Sequence, residues 1–355
     1  MAESAALKIA HADQSMILGI DPARLDFYLR THIPGLTGAM EIAQAAGGMS
    51  NPTFFVTYGE RRMVLRKQPG VTLSPSAHRI DREYRVLTAL DGSAIPVPAP
   101  ILYCEDAGIV GTPFYMMVRL DGQVFFDSSL PGFTPAERRA CYTSMCTTMA
   151  AIHAFDWVAG GLGDFGKRGH YFERQLAGWV RQWEQFAISN NPDVDALIVY
   201  LHEHISADNA ASICHGDYRV ANVMFGPGEP RVTGVLDWEL ATIGHPLADV
   251  AFNLQAWFLT PEQNGGILGL DLDALGIPSA REYVDLYYQY APNSERLTSF
   301  HIAFAMFRAA VGLSGVALRS ETAATPDLAG GREARGFAIA YAKAGTTAID
   351  TWERP

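Results

Sequence analysis

The sequence H-G-D-Y-R-V-A-N at residues 215–222 decides how the rest of the chain is interpreted. It places Asp217 and Asn222 five residues apart in a loop between predicted strands, and the following strand ends at Asp237. Transfer of a phosphoryl group needs a carboxylate that accepts the proton of the attacking hydroxyl, and it needs oxygen ligands for Mg²⁺. Protein sites for Mg²⁺ supply one or two carboxylates, and phosphate oxygens and waters complete the set. Asp217 suits the proton-accepting role, and Asn222 and Asp237 suit the metal.

The spacing H-G-D-x-x-x-x-N is a specific signal. At average composition it would occur by chance in roughly one chain per thousand of this length. The structural alternative is a turn whose Asp and Asn side chains only satisfy backbone groups. Asp237 at a strand end favours phosphoryl transfer, because a kinase-type site requires a carboxylate there.

Upstream of this stretch, the first third of the chain is rich in predicted strands. Pro22 starts a helix that runs to about residue 31, since Pro is favoured at the first helical position. A second helix is predicted over residues 76–90, where apolar residues recur at helical spacing. Strands are predicted over residues 39–45, 53–58, 61–67, 101–104 and 114–118. These elements predict a small antiparallel-sheet lobe over residues 1–118.

From residue 119 onward the pattern is mainly helical, which predicts a larger lobe over residues 119–355. Thr134 and Glu137 form a capping box that starts a helix reaching His153. Further helices are predicted over residues 171–187, 192–206, 246–258, 281–290, 294–319 and 333–351, and short strands over 220–225 and 231–236. The most apolar stretch, residues 301–318, has Arg308 at its middle, so it predicts a buried helix and not a membrane span.

The composition is that of a folded protein with an excess of acidic residues. Of 355 residues, 48% are hydrophobic and 18% charged, and 27 basic and 38 acidic residues give a net charge of −11. This composition excludes a disordered or collagen-like chain. The charge argues against nucleic acid as a partner, since nucleic-acid binders usually carry a basic excess. The four cysteines form no Cys-x-x-Cys pair and no signal-peptide pattern is present, so we expect reduced thiols, a cytoplasmic location and no membrane partner.

The motif at residues 215–222, together with Asp237, resembles the aminoglycoside phosphotransferase and choline kinase family, which has the protein-kinase-like fold. The resemblance extends from about residue 20 to the last predicted helix. It implies an α+β, bilobal protein-kinase-like fold and an enzyme that uses ATP and Mg²⁺ to phosphorylate a hydroxyl of a small molecule. Trp238 and Glu239 stand where protein kinases carry Phe and Gly after the metal-binding aspartate, which argues against a protein kinase. Asp249 resembles the family's buried aspartate that braces the catalytic loop.

The resemblance also assigns nucleotide contacts to the small lobe. The glycines of the loop at residues 47–51 allow backbone N–H groups to approach phosphates. The strand at residues 61–67 would carry the phosphate-contacting base, for which the family motif favours Arg66, with Lys67 on the other face of the strand as the alternative. A helix carboxylate would pair with that base, and a hinge would hydrogen-bond adenine. The implied nucleotide-binding set is Gly47, Gly48, Ser50, Asn51, Arg66, Glu83, Met117 and Arg119.

The acceptor is indicated by a closer resemblance and by the charges around one helix. The segments L-R-K at 65–67, I-D-R-E at 80–83 and Y-F-E-R-Q at 171–175 are similar to the kinase-like domain found fused to acyl-CoA dehydrogenases. That resemblance implies a hydroxyacyl-CoA or a related hydroxy acid as acceptor. Lys167, Arg168 and Arg174 are basic residues in an acidic chain and would bind the anionic groups of CoA. A solvated basic helix face is the structural alternative.

Other functions stay open at this point. One is an aminoglycoside or choline-type small-molecule kinase, and another is a non-catalytic nucleotide-binding protein; the choice between ATP and GTP is also open. The sequence G-L-G-D-F-G-K at residues 161–167 nearly matches a Walker P-loop. However, Arg168 replaces the Ser or Thr that would bind Mg²⁺, and no strand precedes the segment.

Overall fold

The computed structural model describes residues 19–45, 51–70, 79–186, 191–207, 209–291, 295–322 and 327–353. The chain divides into two compact units. The first unit comprises Met1–Asp121 together with Gly234–Glu239, and the second comprises Gly122–Thr233 and Leu240–Pro355. Nothing in the sequence pattern assigned Gly234–Glu239, which contains Asp237, to the first unit.

The first unit is built on a five-stranded antiparallel sheet with the strand order β1-β2-β3-β5-β4. Its strands are β1 (Met40–Gln44), β2 (Thr53–Tyr58), β3 (Arg61–Lys67), β4 (Pro100–Cys104) and β5 (Phe114–Val118). Its helices are α1 (Pro22–His32), α2 (Ile80–Leu90) and α3 (Ala107–Val110). The small antiparallel-sheet part of the predicted fold is therefore confirmed.

The position of β3 inside this sheet explains its burial. β2 alternates between buried and half-buried residues, because one of its faces packs on the core that α1 covers. The last five residues of β3, Met63–Lys67, are all buried. Two of these five are Arg66 and Lys67, so each needs a polar or charged partner inside the unit.

The second unit is mainly helical, as predicted for the larger lobe. Its helices are α4 (Pro135–Ala154), α5 (Tyr171–Gln185), α6 (Pro192–Glu203), α7 (Pro246–Asn253), α8 (Leu272–Leu275), α9 (Ala280–Tyr290), α10 (Ser299–Thr322) and α11 (Leu328–Thr351). Its strands are short: β6 (Gln123–Val124), β7 (Ser212–Cys214), β8 (Val223–Phe225), β9 (Val232–Val235, which continues into the segment of the first unit) and β10 (Thr242–Gly244). β7 pairs with β10, and the other three follow the order β6-β8-β9.

Helix α10 runs through the core of the second unit, where it packs against α5, α6, α7 and α11. Among the described residues it is the one helix whose length and composition would allow it to cross a membrane. In its most apolar stretch of 18 residues, 61% is buried inside the protein, as in the core helix of a folded domain.

One predicted strand is partly wrong, for a reason that bears on the site. The sequence predicts a strand over residues 220–225, but the chain forms a 3₁₀ turn at Val220–Asn222 before β8 begins. The turn directs the Asn222 side chain back to Asp217, with which it hydrogen-bonds. Local side-chain bonds of this kind compete with strand formation and leave no trace in the hydrophobic pattern.

Several helix ends also differ from the prediction. The helix predicted over residues 294–319 begins at Ser299, and the one predicted over 333–351 begins at Leu328, where Asp327 caps it. The single helix predicted over residues 246–258 is α7 followed by a 3₁₀ segment, Leu254–Phe258. Residue 76, the predicted start of the second helix, lies outside the described residues, and α2 begins at Ile80.

Candidate active site

The loop that carries Asp217 follows the buried strand β7 in the second unit. Gly216 adopts a φ of 85°, and a Cβ atom at this position would lie 2.5 Å from the carbonyl oxygen of Leu240. Only glycine fits this backbone, because the left-handed conformation and the close approach both exclude a side chain. The glycine of H-G-D is therefore a structural requirement of the loop.

Asp249 on α7 holds the same loop in place through hydrogen bonds to its backbone. Its carboxylate accepts hydrogen bonds from the backbone N–H groups of His215 at 2.6 Å and Gly216 at 2.9 Å. His153 Nε2 lies 3.5 Å from the same carboxylate, which is 1% exposed. Burial opposes ionisation of Asp249, but His153 and the loop N–H groups outweigh it and lower the pKa of the carboxyl. The bracing that the resemblance implied is present.

Both carboxylate oxygens of Asp217 contact nitrogen atoms of its own loop. Asn222 Nδ2 donates to Oδ2 at 2.7 Å and to the Asp217 carbonyl at 2.9 Å. Arg219 Nε lies 3.2 Å from Oδ1. The Asp217 side chain is 21% exposed, so a hydroxyl can reach it. Because the amide nitrogen of Asn222 faces Asp217, its amide oxygen is the atom that could bind a metal.

A second guanidinium contacts the loop from α10. Arg308 donates to the carbonyl of Gly216 and lies over the ring of Phe252, 4.9 Å from its centroid. From the sequence, Arg308 served only as an argument against a membrane span, and Arg219 received no role. A lone charge in an apolar helix needs a polar partner. This requirement was the one sequence signal that could have indicated a structural role for Arg308.

A cavity of about 40 Å³ adjoins the loop within the second unit. Arg219, Phe252, Asn253 and Tyr341 are among the residues that line it. Asn253 Nδ2 donates to the carbonyl of Tyr218 at 3.1 Å, whereas its Oδ1 is buried and has no hydrogen-bond partner in the part of the chain described. The cavity is large enough for a small polar group or a water molecule.

In the first unit, Arg66 bridges two carboxylates. Its Nη1 donates to Glu83 Oε1 at 2.6 Å, and its Nη2 donates to Asp237 Oδ1 at 3.0 Å. Lys67 instead donates to the backbone carbonyl of Val110. The structure therefore places Arg66, and not Lys67, beside the helix carboxylate that was predicted to pair with the base.

Burial has opposite effects on the two buried partners of this bridge. It raises the pKa of the Glu83 carboxyl to about 7, and Arg66 counteracts only part of the rise. For Arg66, burial alone would lower the pKa, but Glu83, Tyr115 and Asp237 raise it above its usual value. Arg66 is therefore a permanent cation inside the first unit, held by carboxylates on two sides.

Asp237 has an unusual backbone for a non-glycine residue, with a φ of 65°. Such a conformation costs about 1–3 kcal/mol and persists where the surroundings fix it, often at functional sites. Its side chain is about one-third exposed, and one carboxylate oxygen faces Arg66. A partly exposed carboxylate is a suitable ligand for Mg²⁺.

The residues assigned to the phosphate loop are only partly described. Asn51 is buried and donates from Nδ2 to Glu239 Oε2 at 3.1 Å. Its Oδ1 has no hydrogen-bond partner within the described ranges. Gly47, Gly48 and Ser50 lie outside the described residues, so their assignment stays a prediction.

The predicted hinge is part of the sheet of the first unit. The backbone N–H groups of Val118 and Arg119 donate to the carbonyls of Ala99 at 2.9 Å and Arg62 at 3.1 Å. The N–H groups of Val118 and Arg119 are therefore already hydrogen-bonded within the sheet. Adenine contacts by Met117 and Arg119 stay a prediction.

The basic residues assigned to the acceptor lie before and within α5. Lys167 and Arg168 are exposed, and Arg168 lies over the ring of Trp157 at 4.6 Å. Arg174 donates to the carbonyl of Lys167 at 2.8 Å. These contacts hold the segment together, and a role in acceptor binding stays a prediction.

The profile of the "Phosphotransferase enzyme family" matches residues 41–283, which include Arg66, Glu83, Asp217, Asn222 and Asp237. The chain belongs to this family. Its fold is the bilobal kinase-like fold of the aminoglycoside phosphotransferases, and it is a small-molecule phosphotransferase. The recognition made from residues 215–222 and Asp237 is confirmed.

Curated relatives extend the comparison. The chain is 41% identical over 290 residues to mouse acyl-CoA dehydrogenase family member 10, which covers 81% of this chain and 27% of the relative. It is 38% identical over 306 residues to human acyl-CoA dehydrogenase family member 11, which covers 83% of this chain and 39% of the relative. The chain thus spans well under half the length of these relatives.

Solved structures show the same fold. A Ralstonia eutropha protein, provisionally assigned as an aminoglycoside phosphotransferase, is 40% identical with a TM-score of 0.82, covering 92% of this chain and 98% of its own. A ternary complex of aminoglycoside phosphotransferase APH(4)-Ia with ADP and hygromycin B is 17% identical with a TM-score of 0.61, covering 91% of this chain and 97% of its own. At that identity the second likeness concerns the fold alone.

Proposed function

We propose that the chain transfers the γ-phosphoryl group of ATP to a hydroxyl of a hydroxyacyl-CoA or a related hydroxy acid. The observation that carries the chemistry is the geometry of Asp217. Its carboxylate is fixed by Asn222 and Arg219 and is still one-fifth exposed. A carboxylate held in one orientation and open to solvent can align an acceptor hydroxyl and take its proton.

The residues of each unit fit a nucleotide and Mg²⁺. Asp237 offers a carboxylate oxygen and Asn222 an amide oxygen, the ligand types that Mg²⁺ prefers. Arg66 supplies a permanent positive charge with a buried Nε that has no hydrogen-bond partner among the described residues. Mg²⁺ would neutralise the charge of the phosphates. Arg66 and Asn51 would orient the nucleotide, and Asp217 would hold the proton taken from the acceptor.

The charge beside Asp217 favours an anionic or neutral acceptor. Arg219 contacts the carboxylate itself, and Arg308 contacts the preceding residue, Gly216. An ammonium group about 6 Å from a guanidinium is repelled by about 3 kcal/mol at an effective dielectric constant of 20. A polycationic aminoglycoside would meet this repulsion, whereas the carbonyl of a thioester or the carboxylate of a hydroxy acid would be attracted.

The relatives support the same acceptor class. The two relatives are named as acyl-CoA dehydrogenase family members, and the segment similar to this chain forms 27% and 39% of their lengths. Their name indicates acyl-CoA substrates. A hydroxyacyl-CoA is an acyl-CoA whose acyl chain carries a hydroxyl that can receive a phosphoryl group. The Ralstonia eutropha structure keeps an aminoglycoside as the second candidate acceptor.

The test is ADP release by the purified chain with ATP, Mg²⁺ and one acceptor at a time. The acceptors are hydroxyacyl-CoA thioesters with the hydroxyl at different carbons, the free hydroxy acids, choline and hygromycin B. Saturated acyl-CoAs of matched length are the substrate control, because they keep the CoA group and lack only the hydroxyl on the acyl chain. Asp217→Asn is the protein control, since any true transfer must depend on this carboxylate.

We expect ADP release with a hydroxyacyl-CoA or hydroxy acid, none with its saturated analogue, and loss of release in Asp217→Asn. Release with hygromycin B or choline alone would contradict the acceptor class while leaving phosphoryl transfer intact. Binding of ATP without turnover on any acceptor would instead favour a non-catalytic nucleotide-binding protein.

A further inference from the structure

The cavity beside the catalytic loop has polar side chains in its wall that the proposed reaction does not yet use. Its volume is about 40 Å³, and its lining includes Arg219 of the loop, Asn264 of the segment before α8, and Tyr341 of α11. One water molecule needs roughly 10–15 Å³, so a carboxylate or a carbonyl group fits. Aromatic rings form much of the remaining wall, from Phe126, Tyr142, Phe252 and Trp257.

Arg219 brings a positive charge to this cavity. Its Nε lies 3.2 Å from Asp217 Oδ1, and in the described part of the chain this carboxylate is its one ion-pair partner. Nε is buried and makes no well-aligned hydrogen bond to a described residue. A guanidinium has five N–H donors and no acceptor, so Arg219 has donors left for an oxygen of a ligand. Its side chain is 42% exposed, which allows a ligand to reach it from solvent.

Tyr341 offers a second donor to the same cavity. Asn264 Nδ2 donates to Tyr341 Oη at 2.9 Å, so the phenol is already an acceptor, and no described residue accepts its own proton. Burial raises the pKa of Tyr341, although Asn264 and Arg219 act in the opposite direction, so the phenol keeps its proton at neutral pH. The charges of Arg219 and Asp217 both act on this pKa, which places Tyr341 near the catalytic loop.

The backbone around Asn264 keeps this donor in place. Asn264 has a φ of 61°, in the left-handed region that Asn adopts more readily than most residues. The next residue, Gly265, packs so closely that a Cβ atom there would lie 2.4 Å from the carbonyl oxygen of Phe126. The segment that orients the phenol is therefore fixed against another part of the cavity wall.

We propose that Arg219 and Tyr341 bind the carbonyl or carboxylate oxygen of the acceptor while Asp217 holds the hydroxyl that is phosphorylated. Two donors that line one cavity recognise a group that only accepts hydrogen bonds, and a carbonyl or carboxylate oxygen is such a group. This subsite rests on the proposed function, and it adds the residues that determine specificity. They favour a hydroxy acid or its thioester over an alcohol that lacks the second oxygen. Because Arg219 contacts Asp217, the two oxygens of the acceptor belong to one short segment.

A buried water molecule is the rival occupant of the cavity. Asn253 is also a lining residue, and its buried Oδ1 has no hydrogen-bond partner among the residues described. A water held between Asn253 and Tyr341 would satisfy both groups without any ligand. In that arrangement, loss of the Tyr341 hydroxyl changes the stability of the chain but not its choice between ligands.

The experiment measures binding by ligand-observed NMR titration in the presence of ADP and Mg²⁺, which allow no turnover. The ligands are hydroxybutyrates with the hydroxyl at each possible carbon and the matched butanediols, in which a CH₂OH group replaces the carboxylate. We expect at least one hydroxy acid to bind about tenfold or more tightly than its diol, because hydrogen bonds to a charged group are strong. Tyr341→Phe should reduce this preference about threefold or more, and Arg219→Gln should remove most of it. Tyr290→Phe and Arg332→Gln, which change exposed residues of α9 and α11, are the matched controls and should keep the full preference.

Equal affinity for acid and diol in the unmodified chain, or no binding of any hydroxy acid, overturns the proposal. A Tyr341→Phe variant that keeps the full preference but has a lower Tm overturns it in favour of the buried water. The proposed function would fail in a different way. A preference for the hydroxy acid without ADP release from ATP on any hydroxy acid or thioester would support this subsite and contradict the transfer. ADP release without any preference for the acid over the diol would contradict the subsite and leave the transfer intact.

Discussion

Replacing Asp217 by asparagine tests the centre of the proposed reaction. The substitution keeps the size of the side chain and removes the proton acceptor. Removal of a general base slows a reaction by about 10²–10⁴-fold, which corresponds to about 2.7–5.5 kcal/mol. The structure adds a second loss. Both Asp217 oxygens face nitrogen atoms, Asn222 Nδ2 at 2.7 Å and Arg219 Nε at 3.2 Å, and an amide offers only one oxygen.

The expected result is a drop in kcat of at least a hundredfold with little change in the Kd for ATP. The nucleotide affinity should hold, because Arg66 and its carboxylates lie in the first unit and do not depend on residue 217. The assay combines ADP release, with the acceptor that gives the highest turnover, and calorimetry of ATP binding. Arg219→Gln is the matched control: it removes the neighbouring charge but keeps the carboxylate, so kcat should fall less than in Asp217→Asn.

Either of two results would refute this reasoning. If Asp217→Asn turned over within tenfold of the unmodified chain while folding normally, the carboxylate would only position the loop. If Arg219→Gln lost as much activity as Asp217→Asn, the charge of Arg219 and not the basicity of residue 217 would limit the rate.

Four other outcomes are expected. Asp237→Ala should abolish the Mg²⁺ dependence of ATP binding in calorimetry and Asn222→Ala should only weaken it, because the first removes a charged ligand and the second a neutral one; unchanged affinity in Asp237→Ala would place the metal elsewhere. Neutralising Lys167, Arg168 and Arg174 together should raise the KM for a CoA acceptor at least tenfold, because removing a hydrogen bond to a charged group costs about 1.5–3 kcal/mol. The KM for ATP should not change. An unchanged KM for the acceptor would show that this segment does not bind it. Folding lowers the pKa of Asp249. Its contribution to stability is therefore present above 3.8, the pKa in the unfolded chain, and disappears as the pH falls through the lower pKa of the folded chain. The unfolding free energies of the unmodified chain and of Asp249→Asn should converge as the pH falls below about 3.8. All four cysteines are free and buried, so a thiol reagent should label none of them quickly in the native state and all of them in denaturant.

The secondary structure could be predicted from the sequence where the apolar pattern and the turn or capping residues indicated the same element. The strands over residues 53–58 and 61–67 coincide with β2 and β3, because alternating apolar residues flank a short turn at Gly59. The helix start at Pro135 follows from a capping box that is present in full. The start of α10 was missed, since residues 295–298 continue its pattern but use their polar groups outside the helix. The Glu295 carboxylate faces two histidines, and the backbone N–H of Thr298 donates to His301 Nδ1.

The residues of the candidate site also differ in how far the sequence could predict them. Asp217, Asn222 and Asp237 could be proposed as site residues because the chemistry dictates their types and spacing. Arg219 and Arg308 were not, because no spacing rule connects Arg308 to a residue 92 positions earlier in the chain. Between Arg66 and Lys67 the strand pattern alone gave no decision, and both side chains are buried. The family motif favoured Arg66, and the hydrogen bonds of Arg66 to Glu83 and Asp237 agree with that preference.

The contacts of Gly216 show why these unpredicted residues matter. Its N–H donates to the Asp249 carboxylate, and its carbonyl accepts from the Arg308 guanidinium. The residue is buried, and the polar groups at its two ends meet charges of opposite sign. Charge-assisted bonds are stronger than neutral ones, so they fix the backbone on which Asp217 stands. Because Gly216 itself cannot carry a side chain, this orientation has to come from α7 and α10. A change at Asp249 or Arg308 should therefore alter kcat through the orientation of Asp217, although neither residue needs to touch the acceptor.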